Sequence, residues 1–141
     1  EGPVVVGVDA SGSTAALEDA CALAGVEEAG LTVVHVHHTP AGYGHRPLAG
    51  GGSDPESVLA AAVARARALA PGVPVDGRVL HDTSVPHAIL KASDGARMVV
   101  VGTHGHGMLR ETIGSTAHAV LHHARGPVLI ARRDRGDGGL P

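Results

Sequence analysis

The run Met98-Val-Val-Val101 is wholly apolar, too short for a helix and right for a buried strand, and it stops abruptly at Gly102. The stretch that follows, GTHGHGMLRETIGS, is punctuated by glycine. Gly102, Gly105, Gly107 and Gly114 remove Cβ atoms where a bound group would come close, and Gly114-Ser115 opens a helical pattern whose first amides lack a backbone partner. A strand, a bare loop and a helix N-terminus in that order predict an anion site suited to the phosphates of a nucleotide.

The rest of the chain repeats the alternation of strand and helix. Pro3 to Val8 is a β-branched run ending at Asp9, and ASGST after it supplies turn formers with Ser13 as candidate N-cap. From Thr14 the spacing is helical, with Leu17, Cys21 and Ala24 on one face, and Gly30 marks the end. Leu31 to Val36 reads as a second buried strand. His38 to Gly52 is rich in glycine, holds two prolines, and is long enough for a mobile flap. Ser53-Asp54-Pro55-Glu56 reads as a capping box before an apolar stripe of Leu59, Ala62, Val63, Ala66 and Leu69 that ends at Pro71-Gly72. Val75 to Leu80 is the third strand, Ser84 caps a short helix from Val85 to Ala92, and Met98 begins the fourth strand. Ala117, Val120, Leu121 and Ala124 share one side of a fourth helix, and Pro127 to Ala131 is the fifth strand. This order specifies a three-layer α/β sandwich with a mainly parallel sheet and right-handed crossovers. Ligands of such sheets bind beyond the strand carboxyl ends where strand order reverses, so the loops after the first and fourth strands, ASGST and GTHGHG, are placed there. One domain is expected over residues 1–133, followed by a charged, glycine-rich, disordered tail over 134–141.

Tyr43 is the only Phe, Trp or Tyr, so the core is Val, Leu, Ile and Ala and no aromatic platform exists to stack bases. The formal charge of −3 comes from interspersed acids and bases and provides no basic stripe for nucleic acid or anionic lipid. Cys21 stands alone, which excludes a disulfide framework. With no charged-then-apolar leader and no membrane-length apolar run, a cytoplasmic protein is expected; the start at Glu1 without Met leaves a trimmed N-terminus open.

VVVGVDAS near the start, LTVVHV after the first helix, and VVVGTHGHG...GST...VLHHARGPVLIAR at the end resemble the universal stress protein family over nearly the whole chain. The resemblance implies a five-stranded parallel sheet of order 3-2-1-4-5, of the adenine nucleotide alpha hydrolase-like type, and a homodimer paired through the Pro127 to Ala131 edge strand. It also implies an adenine nucleotide ligand, ATP first and ADP or AMP as alternatives, with Mg as companion ion. Asp9, with the backbone at Gly7 and Val8, would meet the ribose or adenine, and Val36 would offer backbone groups to the adenine edge. Gly102, Gly105, His106 and Gly107 would wrap the phosphates, and Gly114, Ser115 and Thr116 would receive them at the helix N-terminus. The family's nucleotide-binding branch resembles G-x-x-G, nine residues, then G-S/T; only eight residues separate Gly105 from Gly114, which implies a tighter cradle.

Each residue also has a plainer reading. Asp9 has the lesser reading of a capping-turn residue, and the paired histidines His118 and His122 read first as a solvated helix face and second as a zinc pair. His104 and His106 share a loop without companion ligands. His35 reads as a partnered core or interface imidazole, His37, His38 and His45 as exposed, and Cys21 as a small buried hydrophobe. Catalysis has little support: no G-x-x-x-x-G-K-S/T occurs, only Asp9 could serve a metal near the site, and at most slow ATP hydrolysis is expected. The acidic cluster and lysine of a phosphorylated receiver domain are missing, and DASGST only loosely echoes the S-G-G-x-D-S loop of ATP pyrophosphatases. The competing function is a dimeric interaction module that binds no nucleotide.

Overall fold

In the computed structural model, which describes residues 2–10, 13–38, 54–102 and 114–131, strands and helices alternate as β1 (Val4–Val8), α1 (Thr14–Glu27), β2 (Leu31–His38), α2 (Pro55–Leu69), β3 (Val75–Asp82), α3 (Val85–Ala92), β4 (Met98–Gly102), α4 (Ser115–His123) and β5 (Val128–Ala131). The five strands form one sheet of order β3-β2-β1-β4-β5. Every neighbouring pair is parallel, and the expected order is therefore the observed one.

The pleat explains why the strands read as continuous apolar runs. On β1, Val4, Val6 and Val8 point into a cluster with Leu17, Cys21, Ala62 and Ala66 of α1 and α2, while Val5 joins Ala88, Ile89, Ala117 and Val120 of α3 and α4 on the opposite face. Both faces are covered, so alternation of polar and apolar residues disappears in the central strands. Close approach decides two glycines. A Cβ on Gly7 would lie 3.1 Å from Cδ1 of Ile89, and one on Gly77 would lie 2.7 Å from Cγ2 of Val63 and 3.2 Å from Leu59. The Ile89 side chain of α3 thus reaches over to β1, and α2 sits directly on β3.

Four local expectations shift. Asp54, not Ser53, caps α2: its carboxylate accepts from the Ser57 amide at 3.2 Å with Pro55 in the first turn. Glu28 rather than Gly30 closes α1, adopting the left-handed conformation at φ 56°. Gly30 instead offers its carbonyl to the Val4 amide at 2.9 Å, starting the β1–β2 ladder. On α4, Ala117 and Val120 are buried but Leu121 is 47% exposed, because a helix of this length packs only one narrow stripe. Strand β2 continues two residues past Val36, since His37 and His38 pair in register with His81 and Asp82 of β3. The expected flap from His38 to Gly52, beyond His38 itself, and the expected tail both lie outside the described residues.

Candidate functional site

The chain builds β2 and β3 on one side of β1, then crosses to lay β4 and β5 on the other, so strand order reverses between β1 and β4. Val4 pairs with Met98 and Val6 with Val100; the same register carried forward sets Val8 level with Gly102. The chain leaves both strands at this point, and α4, which connects β4 to β5, begins at this end of the sheet. The position is the one where parallel α/β sheets leave a crevice for ligands.

Asp9 is held by the turn that follows it. The Ser13 hydroxyl accepts the Asp9 backbone N–H at 2.9 Å and donates to the Asp9 carboxylate at 3.1 Å. Ser13 occupies the N-cap position of α1 but makes no capping bond with its side chain, and its backbone is left-handed at φ 48°, ψ 51°. A non-glycine residue in that region carries a local strain of about 1–2 kcal/mol. Strain of this kind collects at functional turns. The expectation that Ser13 caps α1 is corrected accordingly: its hydroxyl serves Asp9.

Beneath Asp9, Nδ1 of His35 lies 2.9 Å from the Val8 carbonyl. A carbonyl only accepts, so Nδ1 carries the proton. His35 is 8% exposed, and Val8 is its register partner on β1. The bond fixes the last peptide of β1 just before the turn. Register between β1 and β2 ends at this pair, which makes Val36 the first β2 residue beyond the end of β1.

The other wall is the start of α4. Gly114 is its N-cap, in extended conformation with no side-chain cap, and its carbonyl accepts from the His118 amide at 2.9 Å. The first-turn amides of such a helix face outward with a partial positive charge. At Gly102 a Cβ would meet none of the described residues within 4 Å. Ser115 is exposed and Thr116 half-buried.

Of the residues expected at the site, Val8, Asp9, Val36, Gly102, Gly114, Ser115 and Thr116 stand at the carboxyl end of the sheet or at the helix that begins there. Gly7 lies one residue deeper and makes room for Ile89. Gly105, His106 and Gly107 are outside the described residues. Sequence reasoning missed the part of Ser13 and left the partner of His35 unnamed. The four-residue spacing of Asp9 and Ser13 was the available signal for the first; the second needed strand register.

Away from this crevice, a groove of about 550 Å³ runs between α3 and the carboxyl end of α4, lined in part by Leu90, Lys91, His123 and Arg125. It reaches the amino ends of β4 and β5, at Met98 and Pro127, which is the end of the sheet opposite Asp9. Among the described residues no helix is long and apolar enough to cross a membrane, and no group of three or more His, Cys, Asp or Glu side chains is placed to hold a metal.

A parallel five-stranded α/β sandwich with a glycine-capped helix beside its switch point is the class this fold and site define. Residues 2–132 match the family model described as the Universal stress protein family, and the chain belongs to that family. A universal stress protein of Mycolicibacterium smegmatis is 46% identical over 52 residues, 36% of this chain and 18% of that protein. A universal stress protein of Mycobacterium tuberculosis is 44% identical over 64 residues, 45% of this chain and 21% of that protein. The matches span about a fifth of the length of these relatives. Among solved structures, a universal stress protein in complex with cAMP superposes with a TM-score of 0.73 at 23% identity, covering 94% of this chain and 98% of that one. The Archaeoglobus fulgidus universal stress protein in complex with dAMP does so with a TM-score of 0.68 at 25% identity, covering 94% and 98%.

Proposed function

We propose that this chain binds an adenine nucleotide at the β1–β4 switch point and that occupancy biases its shape or its partners. The observation that carries the reading is the placement of the α4 N-terminus at Gly114, which has no side-chain cap among the described residues, at the same end of the sheet as the carboxylate of Asp9. One supplies amide donors for phosphate, the other an acceptor for ribose hydroxyls. The A. fulgidus relative holds dAMP on the same fold, which supports an adenylate as the ligand class. ATP with Mg²⁺ is the form proposed for this chain, with Val36 facing the base and Gly102, Gly105, His106, Gly107, Ser115 and Thr116 around the phosphates. Slow hydrolysis is the most that Asp9 alone would support.

The experiment is to denature the purified protein and run the supernatant on an ion-exchange column, alongside thermal melts with millimolar ATP and Mg²⁺. Released adenine nucleotide, or a rise in Tm that Gly105→Val abolishes, is expected. An empty supernatant with no thermal shift would instead leave the dimeric interaction module as the function. Among the described residues strand β5 borders only β4, and pairing of its other edge with a second copy is the proposed dimer contact. Light scattering at micromolar concentration checks it, and a monomer would overturn it.

A further inference from the structure

The geometry points to a second site, independent of the crevice: we propose that His118 and His122 form a two-imidazole clamp for a divalent transition-metal cation on the outer face of α4. Residues four apart on a helix lie one above the other on the same face, and both of these are exposed. Their ring centroids are 4.3 Å apart, with planes inclined at 55°. A zinc ion sits about 2.0–2.1 Å from each ligating imidazole nitrogen. Two rings sharing one ion therefore stand at a separation of this order, and small rotamer adjustments bring one nitrogen of each onto it. The i, i+4 spacing of histidines on one helical face is also the spacing by which two histidines hold zinc in helical metal sites.

Position on the helix and donor chemistry narrow the ligand. His122 and His123 occupy the last turn of α4, where the helix dipole favours positive charge. The donors are imidazole nitrogens without a carboxylate, a set suited to Zn²⁺, Cu²⁺ and Ni²⁺ rather than to Mg²⁺ or Ca²⁺. The His123 ring stands 6.5 Å from that of His122, and no third ligand side chain among the described residues completes a cage. Water fills the remaining coordination positions, which makes the clamp an open, exchangeable site.

The test uses the full untagged chain and Zn²⁺ or Ni²⁺ alone, followed by isothermal titration calorimetry and thermal melts. One equivalent is expected to bind and to raise Tm. His118→Ala and His122→Ala should each weaken binding at least tenfold, His81→Ala should leave it unchanged, and millimolar Mg²⁺ should not compete. Both α4 variants place alanine at an exposed helical position, so their far-UV circular dichroism should stay at wild type and a loss of binding reports the ligand itself. Absence of uptake, or full affinity retained in His122→Ala, overturns the proposal. Neither result bears on the nucleotide crevice, whose residues are left intact.

Discussion

The hydroxyl of Ser13 is bonded to Asp9 twice, accepting its backbone N–H at 2.9 Å and donating to its carboxylate at 3.1 Å. One side chain thus sets both the backbone exit from β1 and the direction of the only acid in the proposed ribose contact. Ser13→Ala should cost about 0.5–1.5 kcal/mol per bond lost and lower ATP affinity several-fold. Ser13→Gly loses the same bonds but adopts φ 48° without a Cβ penalty, so it should be the more stable of the two. Urea denaturation ranks the variants, and calorimetry with ATP reads the affinity.

Packing of α2 on β3 depends on a missing side chain. At Gly77 a new Cβ would stand 2.7 Å from Cγ2 of Val63, closer than carbon atoms approach. Gly77→Ala should destabilise by about 1–3 kcal/mol through overpacking. Val63→Ala vacates that methyl, so the double variant should recover part of the loss, a coupling measurable by a double-mutant cycle.

The contrast between these two sites shows what the sequence makes legible. Strand identity follows from β-branched runs such as Val4–Val8 and Met98–Val101 separated by helical stretches, because burial on both faces leaves no other use for such runs, whereas the sheet order is implied only by the family resemblance. Element ends are harder to read. Asp54 is the cap of α2, with Pro55 at the first helical position, and Glu28 takes the left-handed closing position expected of a glycine. Within the site, Asp9 and Gly114 are visible as loop residues, whereas the bond from His35 to Val8 depends on which residue faces which across two strands.

Acid should loosen the β3–α3 turn only late, below the ordinary aspartate range. The Ser84 amide and then the His87 ring bonded to the Asp82 carboxylate, at 2.9 and 3.0 Å, hold its pKa below the ordinary aspartate value. A group depressed in the folded state contributes stability that is present above its unfolded pKa and lost as pH falls through the folded one. Stability of the wild type should therefore decline more steeply than that of Asp82→Asn as pH drops below the usual aspartate range, read from urea midpoints across an acid series.

Cys21 should be inert while the protein is folded. It is 4% exposed, and burial pushes its thiol pKa up, with Arg65 opposing and Glu18 adding to the rise. The thiolate is the reactive form, so labelling by a disulfide reagent at neutral pH should be slow in buffer and fast in urea. Rapid labelling of the native protein would show that the contact of α1 with α2 opens.

Strand β1 lies in the middle of the sheet, yet one of its two neighbours is made from residues 98–102. During synthesis its other edge must wait until most of the chain has emerged, so an open ladder of valines persists through translation. Stalled or truncated chains ending before β4 would present that edge to one another, which makes them the aggregation-prone species of this sequence and the natural clients of a chaperone.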